Sequence, residues 1–225
     1  MTIKRAIKRG IKRPLLFRGP AGPALTVYNA YDFADTGKAS TAAITTPVGV
    51  DDISLSVNFN FNVGATLINN LFAAGDETNN NWLRIQSATL RFGFNNASTY
   101  DTAYAPTEGV SYNVLVTSPG GASSAAVTIV LTNLETMAEE FSGTSAALTT
   151  VATASLLNNI GGNGTVGTGL FDGIIWDVLF SSAGAGTDHR WLMDEGSGTN
   201  LADSVGSDDA TISPGLSGNW TTVTY

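Results

Sequence analysis

The sequence predicts an all-β protein built as a two-sheet antiparallel sandwich or jelly roll. Apolar and polar residues alternate with a period of two in several short segments, as they do in strands with one buried face. Turn signals recur roughly every 8–12 residues. Charged residues make up only 13% of the 225 residues. Thr, Ser, Asn and Gly fill much of the rest, and they suit turns and exposed strand faces better than helices.

The basic residues are concentrated at the start of the chain. Seven of the eleven lie in the first 22 positions, where no acid occurs. Residues 23–225 hold the other four and all nineteen acids, so the first segment has a formal charge of +7 and the remainder −15. A chain divided in this way usually consists of a body and a tail with a separate role. We therefore predict an extended basic N-terminal arm at 1–22 and a single domain at 23–225.

Within the arm, the unit Ile-Lys-Arg occurs three times at intervals of four residues, and Pro14 follows the third copy. We predict that this arm docks on a partner protein; the alternative is a disordered basic tail or a nuclear-localisation-like run. A secretory signal is excluded because the apolar run at 15–17 is too short. The predicted anchoring residues are Ile3, Lys4, Arg5, Ile7, Lys8, Arg9, Ile11, Lys12, Arg13, Leu15, Leu16, Phe17 and Arg18.

Strand patterns fill the first half of the body. Residues 53–61 alternate most regularly, with large apolar residues separated by Ser and Asn. Residues 71–94 read as three strands joined by a polar loop at 76–81 and a turn at Ser87-Ala88. Residues 25–35 are predicted to form an entry strand followed by a loop. The other strands predicted in this half are 53–61, 71–74, 82–86, 90–94 and 110–117.

The second half continues in the same way. Further strands are predicted at 127–131, 170–180, 189–193, 210–212 and 220–225. In the second of these, Ile174, Trp176, Val178 and Phe180 are expected to share one face. Residues 134–141 are the best candidate for a short helical turn. The GxGxxG match at 162–167 is interpreted as a hairpin loop, because a strand and not a helix follows it.

Two segments carry a resemblance to a known family. Residues 71–94, with Trp82-Leu83-Arg84-Ile85, and residues 171–178 (FDGIIWDV) resemble the laminin G-like branch of the concanavalin A-like jelly rolls. The resemblance covers roughly residues 25–225. It implies two curved antiparallel sheets, with glycans or proteins bound on the concave face or the rim loops, sometimes with calcium.

The residues 189–199 (HRWLMDEGSGT) resemble a segment often found at the start of such domains. Its position near the end here is similar to that in many bacteriophage virion and tail-associated proteins, and the IKR leader resembles theirs. The resemblance implies a virion structural protein, displayed on the particle and anchored to a neighbouring subunit by its arm. Head, neck and tail positions remain open. The alternative is a lectin-like adhesion module that binds host surface polysaccharide.

Composition also disfavours some classes of partner. The acidic body should be repelled by nucleic acid, and no apolar run approaches the ~18 residues of a membrane span. A symmetric homo-oligomer is expected for a displayed virion protein. With no cysteine in the chain, disulfides and thiolate metal sites are excluded.

Candidate ligand contacts are few. Asp76, with the Asn79–Asn81 loop, is the predicted calcium site, because hard oxygen ligands in a rim loop suit that ion. Trp82, Tyr100 and Tyr104 are candidate glycan-stacking residues, although such aromatics more often belong to a core or a subunit contact.

Catalysis is not expected. Glycoside hydrolysis needs two carboxylates facing one bond. Asp172 and Asp177 are five residues apart and should point to opposite faces of an unbulged strand. Asp194 and Glu195 lie in a Gly-rich turn, where acids commonly cap backbone donors. The Glu-x-Asp-x-Glu strand of related glucan hydrolases is absent, and His189 is the single histidine. We therefore expect no catalytic residue and no organic cofactor.

Overall fold

Antiparallel strands make up the body of the protein. The computed structural model describes residues 27–33, 38–44, 52–62, 68–75, 80–94, 98–120, 123–150, 156–162, 169–182, 188–213 and 219–225. The strands are β1 (Val27–Asp32), β2 (Lys38–Ile44), β3 (Ile53–Phe61), β4 (Ile68–Gly75), β5 (Asn80–Gln86), β6 (Thr89–Phe94), β7 (Ser98–Asp101), β8 (Ser111–Ser118), β9 (Ser124–Ala125), β10 (Thr128–Asn133), β11 (Ala138–Thr144), β12 (Leu148–Thr149), β13 (Leu156–Ile160), β14 (Gly173–Ser182), β15 (His189–Trp191), β16 (Asn200–Leu201), β17 (Ala210–Ser213) and β18 (Trp220–Thr224). These ranges contain no helix, and so none that could cross a membrane.

The strands form two large sheets. Sheet A has the order β11-β10-β8-β3-β14-β1-β18, with β15 paired to β14 beside β1. Sheet B has the order β16-β17-β2-β13-β4-β5-β6-β7, and β9 pairs with β12 separately. Every pairing within the described residues is antiparallel. The predicted two-sheet antiparallel sandwich is confirmed.

A single large hydrophobic core joins the inner faces of the two sheets. In β3 the odd-numbered residues from Ile53 to Phe61 are all buried and the even-numbered ones are partly exposed, which is the alternation that the sequence predicts. Sheet B contributes Leu83 and Phe92, which are direct cross-strand partners. The largest fully buried members of this core include Trp191, Tyr31, Tyr112, Phe33, Phe59, Phe94 and Phe171.

The predicted three-strand unit at 71–94 is confirmed as β4, β5 and β6. Ser87 and Ala88 form the tight turn between β5 and β6, with φ angles of 50° and 65°. Positive φ at both central residues is the backbone geometry of a type I′ turn, whose twist matches that of the flanking strands. The short link between the two alternating segments therefore sets their register.

The predicted helical turn at 134–141 is wrong. Residues 134–137 form a tight turn, and the chain then reverses into β11, which pairs with β10. The Asn133 side-chain oxygen accepts hydrogen bonds from the backbone N–H groups of Glu135 and Thr136, and Met137 has a φ of 57°. A residue with positive φ ends a right-handed helix, so local turn contacts outweigh the helical propensity of this segment.

The prediction of one shared face for residues 174–180 of β14 is also wrong. The register with β3 shifts between Ile175 and Asp177. Ile174 and Trp176 therefore lie in a second cluster outside the main core, whereas Val178 and Phe180 belong to the main core. A β-bulge inserts one residue into one strand, so the alternation changes phase across it.

Gly173, at the start of β14, offers a test of this packing. Its φ is 147°, and a Cβ at this position would meet the backbone oxygen of Asn60 and, at 2.6 Å, the Cα of Phe61. We expect Gly173→Ala to lower the free energy of unfolding by about 3 kcal/mol, because backbone atoms cannot move aside as a side chain can. Urea denaturation measures this change.

Gly198→Ala is the matched control for Gly173→Ala. Gly198 also has a positive φ, 84°, but its Cβ would lie in open space. Gly198→Ala should therefore lower the free energy of unfolding by only about 1–2 kcal/mol, the cost of the backbone conformation. Equal losses for the two variants would show that the close approach at Gly173 does not constrain the sheet.

Candidate functional site

The candidate site lies on the outer face of sheet A, opposite the core. Alternation in β3 and β8 places short polar side chains on this face, among them Ser56, Asn58 and Asn113. The Asn113 amide donates hydrogen bonds to Asn58 Oδ1 at 2.6 Å and to Ser56 Oγ at 2.8 Å. These contacts fix the orientation of the amides, so the face presents a preset pattern of polar groups.

The bulge in β14 adds an aromatic and an acidic residue to this face. Asp177 is the cross-strand partner of Asn58, and Trp176 is the extra residue of the bulge. Trp176 packs against Ala30 and Val223 outside the main core. Without the bulge, Trp176 and Asp177 would point to opposite faces. The bulge therefore places an indole and a carboxylate side by side.

Two tyrosines extend the indole into an aromatic cluster. The rings of Tyr28 and Tyr225 are stacked with centroids 5.1 Å apart and an interplanar angle of 13°. Tyr225 also contacts Trp176, with ring centroids 5.7 Å apart. Tyr28 is 38% exposed, and burial is the main cause that raises the pKa of Tyr225. Tyr28, Trp176 and Tyr225 are called the aromatic cluster below.

Arg190 of β15 completes the polar side of the site. Its Nε donates to Asp177 Oδ1 at 3.1 Å and its Nη2 donates to Asp177 Oδ2 at 2.8 Å. These hydrogen bonds to Asp177 raise the pKa of Arg190. Arg190 is 42% exposed and Asp177 is 22% exposed, so both keep hydrogen-bonding capacity towards solvent. A bidentate pair of this kind is geometrically specific and electrically neutral.

A depression continues the face at the far end of β14. Ser181, Ser54, Thr117 and Thr128 are consecutive cross-strand partners there. With Asp52 they line an open depression of about 480 Å³. The outer face of sheet A therefore runs from the aromatic cluster, past the ion pair, to a hydroxyl-rich depression.

This arrangement is suited to binding. Aromatic rings offer apolar surface, and the preset amides, hydroxyls and ion pair offer oriented donors and acceptors, which is the usual composition of a small-molecule site. Both oxygens of the Asp177 carboxylate accept hydrogen bonds from Arg190, which fixes the orientation of the carboxylate.

The sequence-predicted aromatics do not form one platform. Trp82 is buried on the outer face of sheet B, against Gly93 and Arg84. Tyr100 pairs with Phe92, so it lies on the inner side of the same sheet. Tyr104 donates a hydrogen bond to Glu140 at 2.6 Å, and burial with this contact raises its pKa. The anchoring arm at 1–22 and the calcium candidate Asp76 lie outside the described residues.

The remaining acidic candidates hold loops. Glu195 accepts a hydrogen bond from the backbone N–H of Ala202, as predicted for a turn acid. Asp194 contributes its carbonyl oxygen to Asn29, and Asp172 Oδ1 accepts from Asn62 at 3.5 Å. The carboxylates of Glu195 and Asp172 thus take part in structural hydrogen bonds, whereas Asp194 takes part through its backbone.

His189, Asp203 and Asp208 form a compact group of metal-binding residue types. His189 Nδ1 lies 2.7 Å from Asp203 Oδ2, a hydrogen-bond distance. Two ligand atoms on one zinc ion with bonds of about 2.0–2.1 Å in tetrahedral geometry would lie about 3.3 Å apart. Asp203 also accepts hydrogen bonds from four backbone N–H groups, of Arg190, Val205, Gly206 and Asp208. The group is therefore a structural clamp, and it explains why the single histidine is buried.

Sequence reasoning missed the aromatic cluster. Tyr28 and Tyr225 come from opposite ends of the chain, and only the pairing of β1 with β18 brings them together. Trp176 was predicted on a buried strand face, and nothing in its neighbours marks a bulge. The alternation of Ser and Asn in β3 was the one signal that pointed to this face.

No protein-family model matches the sequence, and no curated protein matches it. Solved structures do match. A Bacteroides ovatus protein assigned to carbohydrate binding superposes with a TM-score of 0.59 at 13% identity, over 88% of this chain and 60% of that one. The predicted concanavalin A-like jelly-roll fold is confirmed by the sheet topology and by this match. This chain spans about 60% of the length of that relative.

Two further matches are more distant. The LG1-3 region of the laminin alpha2 chain has a TM-score of 0.49 at 11% identity, over 68% of this chain and 30% of that one. The enzymatically active domain of bacteriophage CBA120 tailspike protein 2 has a TM-score of 0.45 at 11% identity, over 64% and 24%.

The Asp203 clamp of this jelly roll predicts a pH dependence. Burial raises the pKa of Asp203, but hydrogen bonds from the backbone and from His189 outweigh it and hold the pKa at about 2, below the ordinary 3.8. The folded state thus favours the ionised carboxylate, which contributes about 2 kcal/mol above pH 4 and loses it as the pH falls towards 2. Urea denaturation at several pH values between about 5 and 2 measures this change in the free energy of unfolding.

Asp203→Asn should be less stable at neutral pH and should show a flatter decline in the free energy of unfolding between pH 4 and pH 2. Asp188→Asn is the control, because Asp188 is exposed and should leave the acid limb unchanged. If wild type and Asp203→Asn lose stability in parallel, the clamp does not titrate in this range.

Proposed function

We propose that the outer face of sheet A binds a glycan and that the protein is a non-catalytic, carbohydrate-binding jelly roll. The observation that carries this proposal is the aromatic cluster beside the Asp177–Arg190 pair. A sugar ring has an apolar C–H face and a rim of hydroxyl groups. The partly exposed tyrosines can stack on the C–H face. Asp177 can accept hydrogen bonds from the hydroxyl groups, and Arg190 can donate hydrogen bonds to them.

The charge of the face favours a neutral glycan. Asp177 and Arg190 cancel each other, and the body as a whole is strongly acidic. An anionic polysaccharide would approach such a body against its field. The length of the face, from the aromatic cluster to the Ser54 depression, suits several sugar units of a chain. The fold likeness to a Bacteroides ovatus protein assigned to carbohydrate binding also supports the proposal.

Substitutions in the aromatic cluster test this function. Tyr28→Ala and Tyr225→Ala should each weaken binding of a glycan identified by array screening at least tenfold, because each removes stacking surface. Isothermal titration calorimetry with the full-length chain measures the affinity. Val205→Ala, at a residue that is 57% exposed in a loop after β16, is the control and should bind as wild type does.

Two results would contradict glycan binding by this face. One is a screen, with and without calcium, in which the folded full-length protein binds no sugar. The other is a bound glycan whose affinity is the same for wild type, Tyr28→Ala and Tyr225→Ala.

We also propose that residues 1–22 attach this jelly roll to a bacteriophage virion, as a structural protein of the head, neck or tail. The observation that favours this is the separation of charge, +7 in the arm and −15 in the body. A basic arm with interspersed Ile, Leu and Phe suits an acidic groove with apolar pockets on a neighbouring subunit. Display as a homo-oligomer would place several glycan-binding faces on one particle and raise avidity.

Deletion of the arm tests the attachment. Full-length protein should co-sediment with particles that lack it, and the 23–225 variant should not. If the arm instead lies on packaged DNA, neutralising seven phosphates gives a log–log salt slope of about −6. Equal co-sedimentation of both forms would show that the body makes the contact and would overturn the anchoring role of the arm.

A further inference from the structure

A row of polar and charged residues crosses the outer face of sheet B, on the other side of the sandwich from the proposed glycan site. Asn70, Arg84, Arg91 and Asp101 are consecutive cross-strand partners on β4, β5, β6 and β7. Two of the four basic residues of the body therefore lie directly opposite each other. Like charges that face each other across two strands are destabilising, so the Arg84–Arg91 pair lowers the stability of sheet B.

The two guanidinium groups have different surroundings. Arg91 Nη2 lies 2.7 Å from Asp101 Oδ2, and Arg91 Nε donates to Thr89 Oγ1 at 3.1 Å. Arg84 forms no hydrogen bond or ion pair with any residue in the described part of the chain, and its Nε is buried without an acceptor. Its contact is with the Trp82 ring, whose centroid lies 3.4 Å from Arg84 Cζ. One positive charge of this row is thus left without a counterion in a body rich in acids.

The charge on Arg84 is costly to the folded protein. Burial lowers its pKa to about 10, and the charge of Arg91 adds to the effect. A partly buried cation without a hydrogen-bonding anion usually destabilises a fold, even when an aromatic ring offsets some of the loss. Residues retained against stability are commonly residues with a function.

Unused acceptors lie next to this cation. Asn70 Oδ1 and Gln86 Oε1 are both buried without a donor. Asn70 is the direct partner of Arg84 across the sheet, and Gln86 follows Arg84 by two residues, so its side chain is on the same face. Asn70 is only 1% exposed, so the groups offered to a ligand are the guanidinium of Arg84 and the amide of the partly exposed Gln86. Their complement is a molecule that carries both an anionic oxygen and hydroxyl donors.

We propose that this face of sheet B binds a hydroxy acid of the sugar-acid type, with the carboxylate on Arg84 and a hydroxyl group on Gln86. Trp82 lies beneath the guanidinium and holds its plane, which keeps the outward-facing nitrogens in position for two parallel hydrogen bonds to a carboxylate. Asp101 neutralises Arg91 and so limits the site to one negative charge. This site is separate from the proposed neutral-glycan face and its test is independent of it.

The test uses the full-length protein and three probes in calorimetric titration. Glucuronate carries the carboxylate and the hydroxyls, its methyl ester lacks the charge, and inorganic sulfate lacks the hydroxyls. We expect glucuronate to bind at least tenfold more tightly than either of the others. A glucuronate oligosaccharide distinguishes a polymeric ligand from a free sugar acid. Tighter binding than that of the monosaccharide assigns the site to a polymer, and equal binding assigns it to a free sugar acid.

Variants distinguish this site from a structural stack of arginine on tryptophan. Arg84→Gln should weaken glucuronate binding at least tenfold while its Tm stays equal to or above that of wild type, because an uncompensated charge is removed. A structural role predicts a lower Tm. Asp101→Asn frees Arg91 and should strengthen binding several-fold, whereas Glu108→Gln, at an exposed loop residue, removes the same charge and should not.

Three outcomes would overturn the proposal: no binding of glucuronate, equal binding of sulfate and glucuronate, or unchanged affinity in Arg84→Gln.

Discussion

The bulge in β14 is the constraint on which the arrangement of sheet A depends. β14 is the strand that pairs with β3 on one side and with β1 and β15 on the other. Val178 and Phe180 must face the core, and so must Ile175, although a regular strand cannot place all three there. One additional residue resolves the conflict. It also turns Trp176 and Asp177 outwards, so core packing and the candidate site share one cause.

Two hydrogen-bonded carboxylates, of Glu140 and Asp203, hold the segments around this framework. Glu140 accepts hydrogen bonds from Tyr104, Tyr112 and Asn133, and these contacts hold its pKa below the ordinary value. Asp203 performs the same task for the loop after β16, with His189 and four backbone donors. A buried charge is stable only when its lone pairs are satisfied. Asp203 thus bonds loop backbone that the sheets leave unpaired, whereas the partners of Glu140 are all side chains.

The two outer faces of the sandwich differ in charge and therefore in the ligands that they suit. On sheet A, Arg190 is neutralised by Asp177, and the surrounding groups are amides, hydroxyls and aromatic rings. On sheet B, Arg84 keeps its charge above Trp82. We therefore propose a neutral glycan for the first face and a sugar acid for the second. The acidity of the rest of the body sharpens this difference, because it disfavours anions everywhere except near an uncompensated cation.

The sequence by itself determined the fold class, the strand at 53–61 and the three-strand unit at 71–94. Alternation and turn residues are local properties, and they act before any long-range contact forms. Only the tertiary structure decided that Met137 turns the chain where a helix was expected and that Trp176 leaves the core. It alone joined Tyr28 to Tyr225 and set Arg84 opposite Arg91. Each of these depends on strand register, which is selected by packing between distant segments and leaves no mark on nearby residues.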